Sequence, residues 1–156
     1  MPTDNPSAPS AKPIQCACTN LKMAARSVGR LYDEALVPTG LNSSQYAILA
    51  NIRRQGKVPK MELARLLMMD RTTLYRAVAV LEKRQLVASR RAGSGREETL
   101  SLTPEGATLA VEAEVRWEVA QERFVRAFGG DWPQLLGLLR RAQETAGSAG
   151  FSPAGM

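Results

Sequence analysis

Seventeen residues from Asp70 to Leu86, DRTTLYRAVAVLEKRQL, carry more chemistry than a packed helix needs. The first turn and a half holds two arginines, two threonines and a tyrosine (Arg71, Thr72, Thr73, Tyr75 and Arg76), with no acid after Asp70. At about 100° per residue, Leu74, Ala77, Val78 and Leu81 fall on one side of the wheel. Thr72, Arg76, Ala79 and Lys83 fall opposite, with Thr73 and Tyr75 on the flanks. A solvated face ordinarily mixes both signs of charge. This one offers guanidinium groups and hydroxyls, which suit a negative partner edged with hydrogen-bonding groups.

Other reactive side chains are scarce. Cys16 and Cys18 sit two positions apart, and the chain has no histidine. That spacing is too short for an ordinary intrachain disulfide, and the usual four zinc ligands would have to be pooled by two chains. No metal site and no cofactor are therefore expected. Without histidine, and with no paired carboxylates beside a nucleophile, no catalytic constellation is visible, and the chain is not expected to be an enzyme.

The charge is concentrated. The 156 residues carry a formal net +6, yet Arg53 to Arg96 alone holds 12 Lys/Arg against 3 Asp/Glu, a net of +9. The remainder holds 9 basic and 12 acidic residues, a net of −3. One basic module on a mildly acidic frame points to a dedicated nucleic-acid surface rather than to general polyanion binding. No apolar run reaches the roughly 18 residues that span a bilayer, so no membrane partner is expected. The opening MPTDNPSAPSAKP is no secretory signal; with the closing GSAGFSPAGM it reads as a disordered tail. A cytoplasmic location is expected.

The elements that must position these side chains are legible from periodicity and caps. Leu21, Ala24/Ala25, Val28, Leu31/Tyr32 and Ala35/Leu36 recur at helical steps from Cys18 to Leu36, ended by Pro38 and Gly40. NSSQ is a capping box, Asn42 with Gln45, opening a second helix to about Arg54. QGKVP is a break. A short helix from Lys60 to Met68 turns Leu63, Ala64 and Leu67 inward, and Asp70 caps the stretch quoted above. LVASRRAGSGREETLSL alternates on both sides of a glycine tip, as a β-hairpin does. Thr103 and Pro104 open a long helix. Its Ala110, Ala113, Trp117, Ala120, Phe124 and Ala127/Phe128 keep a 3-4 rhythm suited to a partner helix. Gly129-Gly130 stops it, and Asp131 with Gln134 caps a last, leucine-rich helix.

The expected fold is mainly α-helical with a small β-hairpin wing: a winged helix-turn-helix with N- and C-terminal dimerisation helices. Residues 14–146 form the folded unit, with a DNA-binding module at 41–103, dimerisation helices at 14–40 and 104–146, and tails at 1–13 and 147–156. The helix after Asp70 is then a recognition helix for the major groove of double-stranded DNA. Arg76 suits guanine O6 and N7, Thr72 and Thr73 bases or phosphates, and Tyr75 a phosphate. Arg71 stands at the helix's positive end. The wing arginines Arg90, Arg91 and Arg96 suit phosphates or a narrow minor groove, and Lys60 is counted with the DNA contacts.

The stretches AARSVGRLYDEAL, GLNSSQYAILANI, ELARLLMMDRTTLYRAVAVLEKRQLV and SLTPEG resemble, in order and spacing, segments of the MarR family of bacterial transcription regulators. The resemblance runs from about Cys16 to Thr145. It implies a homodimer whose terminal helices interlock, a palindromic operator, and repression relieved by a small, often phenolic or aromatic acid, effector. The implied effector crevice lies between the dimerisation helices and the winged domain, where Arg26 and Arg30 would hold a carboxylate and Asn20, Tyr32, Ser43 and Tyr46 ring substituents. The family's organic-peroxide-sensing branch implies an alternative, a reactive thiol at Cys18 with Tyr32 fourteen residues on, although Ser43 stands where that branch has a tyrosine. Two further departures concern DNA binding. Ser94 replaces the aspartate of the wing's usual Asp-x-Arg element, whose arginine is Arg96. Met68 replaces the glycine common in the turn before the recognition helix.

Overall fold

Three side-chain caps set the helical frame. Asn42 accepts from the Gln45 N–H (2.8 Å) while Gln45 accepts from the Asn42 N–H (3.1 Å), a full capping box at the start of α2 (Ser43–Gln55). Asp70 opens α4 (Arg71–Lys83) and Thr103 opens α5 (Pro104–Phe128), each accepting from the backbone N–H three residues on. These caps supply partners for amide groups that have none within the helix. The structure, a computed structural model, describes residues 15–91 and 98–148. The expected N-terminal tail, most of the C-terminal one, and the hairpin tip with Ser94 and Arg96 lie outside the described residues.

The remaining elements are α1 (Ala17–Leu36), β1 (Lys57–Pro59), α3 (Lys60–Leu66), β2 (Val87–Arg91), β3 (Glu98–Leu102) and α6 (Trp132–Ser148). The sheet is antiparallel in the order β1-β3-β2, with Val58 opposite Leu100, Val87 opposite Leu102 and Arg91 opposite Glu98. It is a small three-stranded sheet on a mostly helical chain, as in a winged helix-turn-helix. The expected break QGKVP thus contains a strand. Three residues are too few for a period, and the hydrogen bonds that make it a strand come from β3, some forty residues away.

Leu36, Ile48, Leu49, Ile52, Val58, Leu63, Leu74, Val78, Leu81 and Leu100 are fully buried in one core, drawn from α1, α2, α3, α4 and the sheet. α3 ends earlier than expected because Met68 turns to φ +52°. The Met69 N–H then reaches back to Ala64 O (2.9 Å) and the Met68 N–H to Arg65 O (3.1 Å). This is a Schellman ending with methionine where glycine is customary. Gln85 (φ +58°) ends α4 in the same way. At Gly106 the first turn of α5 lies so close to the turn between α4 and β2 that a Cβ would sit 1.9 Å from Leu86 O.

The long helix corrects one expectation. The face bearing Ala110, Ala113, Trp117 and Ala120 packs within the chain, onto α1 and α2, rather than awaiting a partner. Trp117 stacks near Tyr32 (6.1 Å between centroids) and Tyr46 (6.0 Å). The opposite stripe, Val111, Val115 and Val119, is exposed. Asp131 belongs to a 3-10 turn (Gly129–Asp131) that joins α5 to α6, braced by edge-on contacts of Trp132 with Phe124 and Phe128. No described residue of α6 is buried.

Candidate nucleic-acid interface

The apolar side of α4 fixes where its polar side points. Leu74, Val78 and Leu81 are fully buried, so Arg71, Thr72, Thr73, Arg76 and Lys83 are exposed together on the outer surface. Arg76 has no side-chain partner among the described residues. Thr73 is committed to the cap: its hydroxyl donates to Asp70 Oδ2 (2.5 Å) and its N–H to Oδ1 (2.9 Å). Those two bonds hold the Asp70 carboxyl below its ordinary range, the hydroxyl contributing most. Tyr75 lies on the flank, half-buried, with the Arg71 guanidinium 5.2 Å from its ring centroid.

The helix before it supports this face from below. Lys60, expected among the DNA contacts, is instead turned inward and only 6% exposed. Its Nζ donates to Glu98 Oε2 (2.5 Å) and lies 4.9 Å from the Tyr75 ring centroid. A lysine at a helix start reads as solvated. Its burial depends on a carboxylate 38 residues further along the chain, which no local pattern reveals.

On the wing, Arg90 and Arg91 are both exposed at the tip-proximal end of β2. The Arg91 guanidinium donates to Glu98 Oε1 through Nε (3.3 Å) and Nη2 (3.2 Å). With Lys57, Thr99 and Ser101 the two arginines line a groove of about 280 Å³ on the sheet. Lys57 is a cation that the sequence reading missed, because it belongs to the unrecognised β1. Arg96 lies outside the described residues.

The residues named for an effector or for redox chemistry are dispersed. Arg26 and Arg30 lie on the exposed side of α1. Asn20 donates to Cys16 O (3.0 Å) in the first turn of α1, and the Ser43 N–H donates to Asp33 Oδ1 (2.6 Å). The Tyr32 hydroxyl donates to Gln121 Oε1 (2.5 Å), and Tyr46 is buried beside Trp117. Burial raises the pKa of both phenols, so both stay protonated at neutral pH. Cys18 and Tyr32 stand near opposite ends of α1, about 21 Å apart at 1.5 Å per residue, so Tyr32 does not reach Cys18 within one chain. Both cysteines are exposed. The thiol held below its ordinary range is Cys16, chiefly by the Thr19 hydroxyl and then by the Thr19 backbone and Lys22.

A recognition-type helix after a tight turn, with a strand pair beside it, is what the comparisons with known proteins recover. The sequence profile of the MarR family matches residues 39–97. The M. tuberculosis transcriptional regulator MosR, solved in complex with DNA, is 31% identical over 88% of this chain and the whole of that one, with a TM-score of 0.80. The chain belongs to the MarR family. It is therefore a DNA-binding transcriptional regulator, and its family and fold are those of regulators, not enzymes.

Two other relatives of this MarR-family chain are more distant. An uncharacterised HTH-type regulator of Bacillus subtilis, YwoH, is 28% identical over 108 residues, 69% of this chain and 79% of that protein. CouR from Rhodococcus jostii RHA1, solved bound to p-coumaroyl-CoA, shares the fold: 24% identity, 88% of this chain, 96% of that one, and a TM-score of 0.68. No helix among the described residues is long and apolar enough to cross a membrane.

Proposed function

We propose that this protein is a cytoplasmic homodimeric repressor. Two copies of α4 enter successive major grooves of a palindromic operator, and a small aromatic or phenolic acid releases them. One observation carries the reading: Arg71, Thr72 and Arg76 stand exposed on a helix whose other side buries Leu74, Val78 and Leu81. Arg76 reads a guanine, Thr72 and Arg71 meet bases or phosphates, and Arg90 and Arg91, joined by Lys57, follow the backbone. Thr73, its hydroxyl committed to Asp70, takes part through its position rather than as a free donor, and the Tyr75 hydroxyl meets a phosphate.

Dimerisation is supported by α6, whose Leu135, Leu136, Leu138 and Leu139 find no buried place in one chain. A soluble monomer has no reason to expose that much leucine. The effector assignment is supported by the ring cluster of Tyr32, Trp117 and Tyr46 between α1, α5 and α2, with the exposed Arg26 and Arg30 one turn apart on α1 for a carboxylate. The fold relative CouR has been solved with a phenolic acyl thioester bound.

The test is operator affinity measured over a salt series. Each phosphate neutralised releases counterions, so affinity should fall steeply with salt. Arg76→Ala should cost roughly 1–3 kcal/mol and relax selectivity at one operator position. Binding that is weak to every duplex and unchanged in Arg76→Ala would point instead to an adaptor surface.

One observation favours a second reading as a thiol sensor: Cys16 is exposed and shifted toward its thiolate. A hydroperoxide would oxidise that thiolate to the sulfenic acid and itself be reduced to the alcohol. Titrating operator release with an organic hydroperoxide, with Cys16→Ser and Cys18→Ser in parallel, decides it. Release by a metabolite with no response to peroxide removes this reading.

A further inference from the structure

Glu98 is an acid placed where a DNA-binding wing should least tolerate one. It is the first residue of β3 after the hairpin tip, cross-strand from Arg91 and beside the groove formed by Lys57, Arg90 and Arg91. Its two oxygens are taken by two cations of different standing. Oε1 accepts from Arg91, whose side chain is 72% exposed and whose bonds are long, at 3.2 and 3.3 Å. Oε2 accepts from Lys60, whose side chain is buried and whose bond is short, at 2.5 Å.

An exposed ion pair is weak and easily exchanged for a phosphate. A buried ammonium is not, because losing its one ion-pair partner among the described residues would leave a desolvated charge uncompensated. Lys60 is also poorly explained as packing alone, since apolar residues usually fill such a position with no loss of stability. The same ammonium lies against the Tyr75 ring, so it sits between the tip-proximal end of β3 and the flank of α4. The Glu98 carboxyl is held below its ordinary range, first by the Lys60 hydrogen bond and charge and then by Arg91, and so is ionised at neutral pH.

Resting on the DNA-binding reading above, we infer that Lys60 is a positioning residue that masks Glu98. By keeping the carboxylate compensated from the buried side, it leaves Arg91 free to exchange Glu98 for a DNA phosphate. Without Lys60, Arg91 stays on Glu98, or departs and leaves a bare carboxylate beside the operator backbone.

The test uses the full chain and a short duplex that the wild-type protein recovers from a randomised pool, with affinity read by fluorescence anisotropy over a salt series. Folding of each variant is followed by circular dichroism. Lys60→Met should weaken binding about tenfold or more and lower the salt slope by about one phosphate. Lys60→Met/Glu98→Gln should return to within about twofold of wild type, since the acid needing the mask is gone. Glu98→Gln alone should bind at least as tightly as wild type, because Arg91 is released; this arm decides the matter if Lys60→Met does not fold.

Folded Lys60→Met with wild-type affinity overturns the inference. So does a double variant as weak as the single one, or a weakened Glu98→Gln, which would make the pair a strut. Arg76→Ala run alongside separates the two levels. A wild-type chain that binds no duplex defeats the DNA reading and this inference with it. A wild-type chain that binds, an Arg76→Ala that does not, and an unaffected Lys60→Met defeat this inference alone.

Discussion

Ile52, Leu63, Leu74, Leu81 and Leu100 are without exposed surface in the winged module, whereas α6 buries none of its described residues and α1 buries only Leu36. Both regions are helical and both are leucine-rich, so composition does not separate them. What separates them is closure. The module brings α2, α3, α4 and the sheet around one core, and its caps and Schellman endings satisfy the helix ends. The outer sides of α1 and α6 leave Leu21, Met23, Leu31 and Leu138 exposed among the described residues. The winged module is thus a finished fold that presents charge, and the terminal helices are an unfinished one that presents apolar surface. Each is built for its own kind of partner.

The sharpest blow to the finished region is at its seam with α5. Gly106→Ala would place a Cβ 1.9 Å from Leu86 O, and backbone cannot yield as a flexible side chain can. We expect a loss of about 3 kcal/mol or more in folding stability, read by chemical denaturation; an unchanged midpoint would mean the seam is looser than described. On the unfinished side, Leu138→Glu alters a residue already exposed in one chain. It should leave unfolding of the module nearly intact while weakening self-association by roughly 2 kcal/mol, read by light scattering against concentration. A dimer of unchanged strength would show that α6 is not the interface.

Smaller effects sharpen the contrast from inside the module. Met68 holds φ +52° with its side chain 75% exposed. Met68→Gly removes a strain of roughly 1–2 kcal/mol and adds roughly 0.5–1 kcal/mol of unfolded-state entropy. A slight rise in melting temperature is expected, and a fall would assign the methionine a packing role. The smallest effect is on pH dependence. The pKa of Glu98 is depressed in the folded state, so its contribution is present above the ordinary carboxylate range and lost as pH falls through the folded value. Glu98→Gln should therefore flatten the acid limb of stability, followed by denaturation from neutral pH downwards; an unaltered acid limb would show that the Lys60–Glu98 pair contributes nothing to folding.

How much of this was legible depended on the range of the interaction. The caps at Asn42, Asp70 and Thr103 were readable because each is a contact over three residues, and the inward side of α4 because its period repeats within one helix. The exposed basic face of α4 followed at once, since an exposed arginine opposite a buried leucine needs no distant partner. β1 was missed because three residues carry no period, and Lys57 was missed with it. That part of the long helix, Ala110 to Ala120, meets its own chain was not legible, because the same 3-4 rhythm serves an intramolecular or an intermolecular neighbour equally well.

The amino-acid order by itself therefore determined the helices, the capped starts of α2, α4 and α5, the hairpin strands and the basic outer side of α4. These follow from backbone hydrogen bonding and side-chain periodicity within a few turns. Only the tertiary structure decided that Lys60 is buried against Glu98 and that Tyr32 and Tyr46 meet across Trp117. Whether a charge or a ring faces water or a neighbour is set by what packs beside it, and most of those neighbours come from distant parts of the chain.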